Sequence, residues 1–484
     1  MLLFAMNTLL SIIWRRQSAL LAALSISVLA ISAQSQPAAP EPELRIASAP
    51  RNVILFIGDG MGDQQITIAR NYLAGARGRI LLDDMPLRSA VQVLTVDAQG
   101  KPIYVADSAN SATSMATGAV TVRRRIAMAA DGKTALPTIL QQAMRAGLRT
   151  GLVTTSSVTD ATPASFVAHM SIRHCENPTA MLGARVGFTT LPHCKHLLKA
   201  AGGPGSISEQ IAAAPVDIVL GGGRKHFDTP REDSEEHVLQ LAAQSGFALP
   251  ATLEDARRIP QNQRILGLFA ESHLPERWRG EAGRSSESPR PSWANALHRY
   301  LGSVTLPEII RCEHNPAFAD APTLVEMTDV ALSRLPNPNG FFLMVESASI
   351  DKAAHQRRAC GSIGELKQLL EALALALDFA EQQGNTLVLV TADHGQAAQL
   401  IPQSSYFASY GIPVFTPGML TRLQTPEGGI MGVNYATNNF SYEEHTGVNV
   451  PLFANAEGLG RVPAMIRQPD LYQIMFDYLL GDSP

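Results

Sequence analysis

Carboxylate and imidazole side chains follow three apolar runs of strand length. They are Asp59 after residues 52–57, Glu346 after residues 341–345, and Asp393 with His394 after residues 386–390. A single Asp after a strand is usually a helix cap or a turn residue, but that explanation does not suit the whole set. Because ligands gather where parallel strands end, at one edge of a sheet, we expect these side chains to form a polar, metal-capable site.

Two further stretches contain residues that could hold a metal ion. Asp351 and His355 are four residues apart, so on a helix both would face one side and could bind the same ion. His445 lies on a late loop, and taken singly it or His355 is more often a surface or capping histidine. Zinc accepts imidazole nitrogen and carboxylate oxygen, whereas magnesium takes oxygen, so the mixture suggests both ions.

Ser108 stands at the head of a stretch of small residues with helical character. The N-terminus of a helix offers free N–H groups and partial positive charge, which favour an oxyanion or a bound phosphate. An ordinary N-cap is an equally good interpretation of this serine taken alone. The chain has no G-x-S-x-G elbow and no evident base of the serine-hydrolase kind. If Ser108 is a nucleophile, a metal must therefore lower its pKa.

The segments that position these residues alternate between apolar runs of strand length and helical patterns. The helical patterns cover residues 64–74 and 363–382. This alternation predicts an α/β fold with a mainly parallel sheet covered by helices on both faces. The 484 residues could form two or three domains, but large α/β enzymes often keep this many around one sheet. We expect one catalytic domain with inserted loops over residues 51–484.

Composition and charge exclude several classes of protein. With 45% hydrophobic and 17% charged residues, the chain can bury a large core and is not a disordered or fibrous polymer. The formal net charge is -4, and no basic run interleaved with aromatic residues is present. A surface for nucleic acid is therefore not expected.

The N-terminus is typical of an export signal. Arg15 and Arg16 precede an apolar stretch that ends in small residues, which predicts a signal peptide over residues 1–33 and cleavage near Ala33. Residues 34–50, rich in Pro and Ala near their start, would form a flexible leader. We expect a periplasmic or secreted protein, with an uncleaved membrane anchor as the alternative and Met6 as an alternative start.

The chain contains four cysteines, Cys175, Cys194, Cys312 and Cys360. An even number in an exported chain favours two disulfides, although four cysteines allow three pairings. Sequential pairing closes the shortest loops. A zinc site is less favoured because no C-x-x-C spacing is present.

Taken together, the motifs resemble those of the bacterial periplasmic alkaline phosphatases. The resemblance runs from about Asn52 to near the C-terminus and is carried by residues 52–62, 107–109, 160–163 with Arg173, 346–355, 391–394 and 444–447. It implies a three-layer α/β/α sandwich with a central, mainly parallel sheet. It also implies hydrolysis of phosphomonoesters, which makes small phosphorylated substrates and inorganic phosphate the expected partners, together with a homodimer and the sequential disulfides.

The resemblance implies a role for each matching residue. Ser108 matches the phosphorylated nucleophile, and Arg173 matches the guanidinium that clamps phosphate. Asp160 and Lys352 match groups that reach magnesium and phosphate through water; for Lys352, a solvated lysine without contacts is the alternative. Two zinc ions and one magnesium ion per chain are implied, with Asp351, His355 and His445 at one zinc, Asp59, Asp393 and His394 at the other, and Asp59, Thr162 and Glu346 at magnesium.

Several positions depart from the pattern of the family. Ser347 stands where these enzymes often have Gly, and Gln396 replaces a histidine found just after the Asp-His pair in some members. The latter change could alter zinc affinity, because groups around the ligands orient them. The run 123–125 and the segment 401–440 match poorly, so their loop structure is not predicted.

The implied reaction has two in-line steps, in which Ser108 attacks phosphorus and water then hydrolyses the phosphoserine, with activity rising toward alkaline pH. Two alternatives remain. A phosphodiesterase of the same superfamily would lack the third-metal set, so Thr162, Glu346 and Arg173 favour a monoester. A non-catalytic phosphate- or metal-binding protein is less favoured, because the nucleophile and the ligand sets are complete. A sulfatase would need a C-x-P-x-R motif, which the residues around Ser108 lack.

Overall fold

The computed structural model describes residues 50–183, 185–186, 189–190, 192–298, 300–402 and 405–481. The predicted signal peptide over residues 1–33 lies outside the described residues, as does the predicted leader apart from residue 50. Within the described ranges, no helix combines the length and the apolar composition that crossing a membrane requires.

A ten-stranded sheet forms the centre of the fold. Its strands are β1 (Arg51–Gly58), β2 (Leu87–Gln92), β3 (Arg149–Ser157), β4 (Ile218–Gly222), β5 (Phe247–Ala248), β6 (Arg264–Leu268), β7 (Gly340–Ser347), β8 (Thr386–Ala392), β9 (Val450–Ala454) and β10 (Met465–Arg467). Their spatial order is β10, β2, β9, β8, β1, β7, β3, β4, β6, β5. Neighbouring strands are parallel, except that β9 runs antiparallel to β8 and to β2. The predicted mainly parallel sheet is confirmed.

The central strands β1, β7 and β8 are continuous apolar runs because helices cover both of their faces. Every residue of β7 and β8 is buried, and β1 is buried after its first residue. The three runs predicted as strands therefore form the middle of the sheet.

Helices connect the strands and flank the sheet. They are α1 (Asp63–Ala74), α2 (Ser108–Thr117), α3 (Ile139–Arg145), α4 (Ala161–Val167), α5 (Pro178–Met181), α6 (Ile207–Ala213), α7 (Arg224–Phe227), α8 (Val238–Gln244), α9 (Leu253–Arg258), α10 (Trp293–Leu297), α11 (Leu324–Arg334), α12 (Ser349–His355), α13 (Ala359–Gln383) and α14 (Asp470–Leu480). Both predicted helices are present as α1 and α13, and α13 extends the predicted range by several residues at its start.

The helices form two layers. Helices α1, α11 and α12 pack against α13, whereas α2 and α3 pack against α14 and α4 packs against α2 and α3. Since both groups also contact the central strands β1 or β7, they cover opposite faces of the sheet. This arrangement is the three-layer α/β/α sandwich that the resemblance implied.

Smaller elements lie outside the central sheet. A four-stranded sheet contains Ile309–Ile310, Met419–Gln424, Ile430–Tyr435 and Gln399–Ile401, and strand pairs join Trp278–Gly280 to Cys312–His314, Arg290–Pro291 to Val304–Thr305, Thr95–Val96 to Pro102–Ile103, and Arg185–Val186 to Thr189–Thr190. Short 3-10 turns span Leu81–Asp84, Lys195–Leu197, Lys199–Ala201, Glu281–Gly283, Pro316–Phe318, Tyr406–Tyr410 and Ala456–Gly458. The poorly matched segment 401–440 thus supplies two strands of the four-stranded sheet.

Two disulfides join the cysteines in the sequential pairing. Cys175 is bonded to Cys194, and Cys312 is bonded to Cys360. The expectation from the resemblance is confirmed, and no cysteine is left free.

Candidate active site

The register of the three central strands brings their carboxylates to one edge. In β1, Ile57 pairs with Glu346 of β7, and Gly58 pairs with Ala392 of β8. Asp59 therefore leaves β1 between Glu346 and the Asp393 that follows β8. The predicted gathering of acidic side chains at the strand ends is present.

A glycine makes the turn after β1 possible. Gly60 has a φ of +68°, a conformation that favours glycine, and its N–H donates to Asp393 Oδ1 at 2.9 Å. A Cβ at this position would lie 3.1 Å from Asp351 Oδ1. The turn thus lets Asp351 approach the end of β1 closely.

Asp351 and two histidines form one group of potential ligands. On α12, His355 Nε2 lies 3.1 Å from Asp351 Oδ2, as their spacing predicts. His445 Nε2 lies 3.5 Å from Asp351 Oδ1 and 3.0 Å from His355 Nε2. The side chains of Asp351, His394 and His445 also offer ligand atoms within 4.8 Å of one another.

A second group adjoins the serine. Asp59, Asp393 and His394 offer ligand atoms within 4.8 Å of one another, so His394 lies between both groups. Its Nε2 is 3.3 Å from Asp393 Oδ2 and 3.5 Å from Asp59 Oδ1. Ser108 Oγ is 3.2 Å from His394 Nε2 and 3.5 Å from Asp59 Oδ1.

The tautomers of the three histidines suit a cation. Each Nδ1 faces a backbone carbonyl oxygen, at 2.5 Å for His355, 3.2 Å for His394 and 2.9 Å for His445. A carbonyl only accepts, so Nδ1 must carry the hydrogen, and in a neutral ring Nε2 then presents its lone pair. Burial opposes the charged form of His355, but the adjacent Asp351 raises its pKa. Burial lowers the pKa of His394 and of His445 to about 4, which keeps both rings neutral. Neutral imidazoles with free Nε2 atoms are metal ligands.

The buried carboxylates of the second group need a nearby positive charge in order to be ionised together. Burial and the nearby Asp393 and Asp351 raise the pKa of Asp59 well above its ordinary value. Burial also raises the pKa of Asp393 to about 6, and its buried Oδ2 has no hydrogen-bond donor. A divalent cation would compensate these charges, and the donor set therefore fits a metal.

Glu346 and Thr162 offer oxygen atoms beside Asp59. Glu346 Oε2 accepts hydrogen bonds from Thr154 Oγ1 at 2.5 Å and Ser156 Oγ at 3.2 Å. Burial raises the pKa of Glu346 to about 7. The Thr162 hydroxyl is near enough to Glu346 to influence that pKa, yet it is buried without a hydrogen bond of its own. Such an oxygen-only set suits magnesium.

Two cations meet at Asp160, and one of them, Lys352, lies on α12 with Asp351 and His355. Arg173 Nη2 lies 2.8 Å from Asp160 Oδ1, and Lys352 Nζ lies 2.5 Å from Asp160 Oδ2. Burial alone would raise the pKa of Asp160, but Lys352 and Arg173 hold it well below its ordinary value. Lys352 is therefore a contact residue, and the solvated-lysine alternative is wrong.

Ser108 is the first residue of α2, and Asp107 is the N-cap. Asp107 Oδ1 accepts from the Asn110 N–H at 3.2 Å, while Asn110 Oδ1 accepts from the Asp107 N–H at 2.8 Å. The interpretation of Ser108 as an ordinary cap is thus wrong. Its hydroxyl is free of a capping role and faces the second group of ligands.

Sequence reasoning missed some neighbours of the site. Asp107 Oδ2 lies 3.6 Å from Arg173 Nη1, and its spacing to Asn110, typical of a capping box, could have indicated it. His273 accepts from the Ser157 N–H at 3.1 Å and lies 4.0 Å from Asp160, but no sequence pattern points to it. Gln396, noted as a departure, donates to Asp351 Oδ1 at 2.5 Å.

Comparisons with known proteins relate the chain to one enzyme family. The profile of the alkaline phosphatase family matches residues 50–416. Streptomycin-6-phosphate phosphatase of Streptomyces griseus is 38% identical over 455 residues, which cover 93% of this chain and 94% of that protein. Alkaline phosphatase of Escherichia coli is 38% identical over 440 residues, which cover 88% of this chain and 85% of that protein.

Solved structures agree on the fold. Alkaline phosphatase from the Antarctic bacterium TAB5 has a TM-score of 0.63 at 23% identity, covering 89% of this chain and 98% of its own. The Thermus thermophilus enzyme has a TM-score of 0.62 at 21% identity, covering 90% and 93%. With the family profile and the close sequence relatives, these likenesses identify the chain as a member of the alkaline phosphatase family, a phosphomonoester hydrolase.

Proposed function

We propose that the enzyme hydrolyses phosphomonoesters by transferring the phosphoryl group to Ser108 and then to water. The observation that carries this proposal is the position of Ser108 Oγ, 3.2 Å from His394 Nε2 and 3.5 Å from Asp59 Oδ1, at the N-terminus of α2. The free N–H groups there favour a bound phosphate. Because the attacking groups are deprotonated serine and water, activity rises toward alkaline pH.

Two zinc ions and one magnesium ion per chain complete the proposed site. One zinc is held by Asp351, His355 and His445, the other by Asp59, Asp393 and His394, and magnesium by Asp59, Thr162 and Glu346. The low pKa values of His394 and His445, the contact of His355 with Asp351, and the closely spaced buried carboxylates support these sets. When bound, the ions supply Lewis-acid stabilisation of the serine oxygen and the leaving oxygen.

The remaining residues bind and orient the phosphate. Arg173 provides a planar guanidinium that can bind two phosphate oxygens at once. Asp160 holds both Arg173 and Lys352, so it orients the clamp and keeps the lysine next to the phosphate. Asp107 adds a second carboxylate beside Arg173.

Mutation of the nucleophile tests this function. In the zinc- and magnesium-loaded enzyme, Ser108→Ala should lower turnover of p-nitrophenyl phosphate by more than about a thousandfold. Radiolabelled phosphate should be trapped on the wild-type serine at low pH and not on the variant. Ser111→Ala, on the same helix, serves as the control. Full turnover by Ser108→Ala would exclude the covalent scheme, and an inactive wild-type enzyme would favour a non-catalytic binding protein.

The competing reaction is diester hydrolysis within the same superfamily. Thr162, Glu346 and Arg173 provide contacts for a third ion and for three free phosphate oxygens, which only a monoester offers. Comparing p-nitrophenyl phosphate with bis-p-nitrophenyl phosphate separates these reactions. Faster hydrolysis of the diester would overturn the proposed preference.

We further propose that the enzyme is an exported homodimer. The two disulfides support an oxidising compartment such as the periplasm. Exposed apolar side chains, including Trp293, Leu297, Tyr406 and Phe407, offer surface for an interface. Fractionation of the expressing cells and sedimentation of the mature enzyme test the two statements. A cytoplasmic location or a monomer at micromolar concentration would contradict them.

A further inference from the structure

Arg124 occupies a turn at the rim of the proposed phosphate site in a conformation that arginine rarely adopts. Residues 122–125 form a turn in which the Arg125 N–H donates to the Val122 carbonyl at 3.3 Å. Arg124, the third residue of this turn, has a φ of +71°. Glycine is the residue that this position favours. A bulky residue held in such a conformation often marks a functional site.

The backbone of Arg124 is bonded to both Asp107 and Arg173, which border the proposed phosphate site. Its N–H donates to Asp107 Oδ1 at 2.9 Å, directly before Ser108 in the chain. Its carbonyl accepts from the Arg173 N–H at 2.8 Å. The turn is therefore attached to the nucleophile's helix and to the phosphate clamp together.

The side chain of Arg124 is exposed, and a histidine orients it. Arg124 Nη2 lies 3.1 Å from His174 Nδ1, and His174 Nε2 lies 3.0 Å from the carbonyl of Pro192. Because that carbonyl only accepts, His174 Nε2 carries the hydrogen and Nδ1 accepts from the guanidinium. Burial, together with the charges of Arg124 and Arg173, lowers the pKa of His174, which keeps this acceptor neutral.

The charge of Arg124 has no counterpart. Within the described part of the chain, no carboxylate lies within 4.0 Å of its guanidinium, whereas Arg173 has Asp160 and Asp107. Because Ser108 Oγ is buried, a leaving group placed opposite it by an in-line displacement extends away from the buried serine. An oriented and unneutralised cation at this exposed rim is suited to an anion on that leaving group.

We propose that Arg124 determines specificity by binding a second anionic group, a carboxylate or a phosphate, on the leaving group of the substrate. This inference rests on the proposed phosphomonoesterase function. It assigns the preferred substrates to monoesters that carry another negative charge.

Matched substrate pairs test the inference. The probes are 3- and 4-carboxyphenyl phosphate and their neutral methyl esters, assayed on the metal-loaded enzyme. We expect the ratio of kcat/KM for acid over ester to fall about 3- to 10-fold in Arg124→Gly, mainly through KM of the acids. Glycine suits the positive φ, so this variant should fold. Arg123→Ala, which removes an exposed neighbouring charge, should leave the ratio unchanged.

The outcomes are distinct. An unchanged ratio in Arg124→Gly, or an equal fall in Arg123→Ala, would overturn the inference, because the effect would then be absent or due to net charge alone. If the wild-type enzyme hydrolyses neither member of a pair nor p-nitrophenyl phosphate, the proposed function is overturned. This inference is then overturned with it. A ratio that also falls at high salt in the wild-type enzyme would support an ionic contact.

Discussion

At the scale of single residues, one carboxylate organises the cations of the proposed phosphate site. Asp160 is bonded to Arg173 on one oxygen and to Lys352 on the other. Burial opposes the charged form of Lys352, but Asp160 and Asp59 raise its pKa, so the ammonium stays charged at alkaline pH. In the proposed function, a permanent cation there would stabilise bound phosphate and the transition state alike, and such uniform binding does not raise turnover.

Removing this lysine should therefore change product binding more than turnover. For Lys352→Ala we expect inhibition by inorganic phosphate to weaken about 3- to 10-fold, while turnover rises or stays similar and substrate affinity falls. Steady-state inhibition with pre-steady-state burst kinetics measures both effects, with Lys367→Ala on α13 as the control. An unchanged inhibition constant would exclude a phosphate-holding role, and absence of a burst at alkaline pH would argue against slow product release.

Gln396 affects a proposed zinc ligand without binding the ion itself. Its Nε2 donates to Asp351 Oδ1 at 2.5 Å and so orients that carboxylate. We expect Gln396→Ala to weaken zinc binding about 10- to 100-fold, as loss of such a partner does elsewhere. Competition with a chelator gives the affinity, and Gln399→Ala, an exposed neighbour, is the matched control. Equal affinities for Gln396→Ala and the wild type would show that Asp351 is held by other contacts.

At the scale of elements, the disulfide Cys175–Cys194 lies next to Arg173, the proposed phosphate clamp. The two cysteines are separated by 19 residues, and the Cys175 N–H donates to the Ile172 carbonyl at 3.1 Å, adjacent to Arg173. The bridge therefore restrains the segment that carries the guanidinium. Cys312–Cys360 closes a longer loop, with a separation of 48 residues, and tethers the start of α13.

Loss of the first bridge should lower both stability and phosphate affinity. By the chain-entropy relation, replacing Cys175 and Cys194 by serine should cost about 3 kcal/mol of unfolding free energy. Phosphate binding should weaken as well, because Arg173 is less restrained. Thermal unfolding and phosphate inhibition are measured beside a Cys312→Ser/Cys360→Ser variant, which should be destabilised without the same loss of phosphate affinity. Unchanged stability and affinity in the first variant would refute this coupling.

At the scale of the whole molecule, the sheet concentrates buried acids at one edge. Asp59, Glu346, Asp351 and Asp393 are all buried there. Burial raises the pKa of Glu346 to about 7 and that of Asp393 to about 6 in the absence of metal ions. A carboxyl with a raised pKa contributes stability below its unfolded pKa, and that contribution is lost as pH rises through the folded value.

Chelation should therefore destabilise the enzyme more at alkaline than at acidic pH. We expect EDTA to lower Tm by several degrees more at pH 8 than at pH 5, because the acids ionise without a cation between pH 5 and pH 8. Scanning calorimetry of metal-loaded and metal-free protein at both pH values measures the difference. An equal fall in Tm at pH 5 and pH 8 would mean that these carboxylates do not lower the stability of the metal-free protein.

Local patterns in the sequence were sufficient to predict much of the fold and the site. The continuous apolar runs predicted β1, β7 and β8, because strands covered on both faces have no polar side to display. The four-residue spacing predicted that Asp351 and His355 share a face, because helical periodicity depends only on neighbours along the chain. Long motifs then linked Ser108, Arg173 and the ligands to one family.

Contacts between distant segments depended on the tertiary structure. The carbonyls of Glu443 and Ala106 orient His355 and His445, and no local sequence pattern predicts these partners. The bonds from the Arg124 backbone to Asp107 and to Arg173 also form only because the turn at residues 122–125 meets the N-terminus of α2. The sequence by itself determined the three central strands, the helices α1 and α13 and the types of ligand, because these follow from local periodicity and side-chain chemistry. Only the tertiary structure decided tautomers, pKa shifts and the rim of the site, because these depend on burial and on which distant atoms meet.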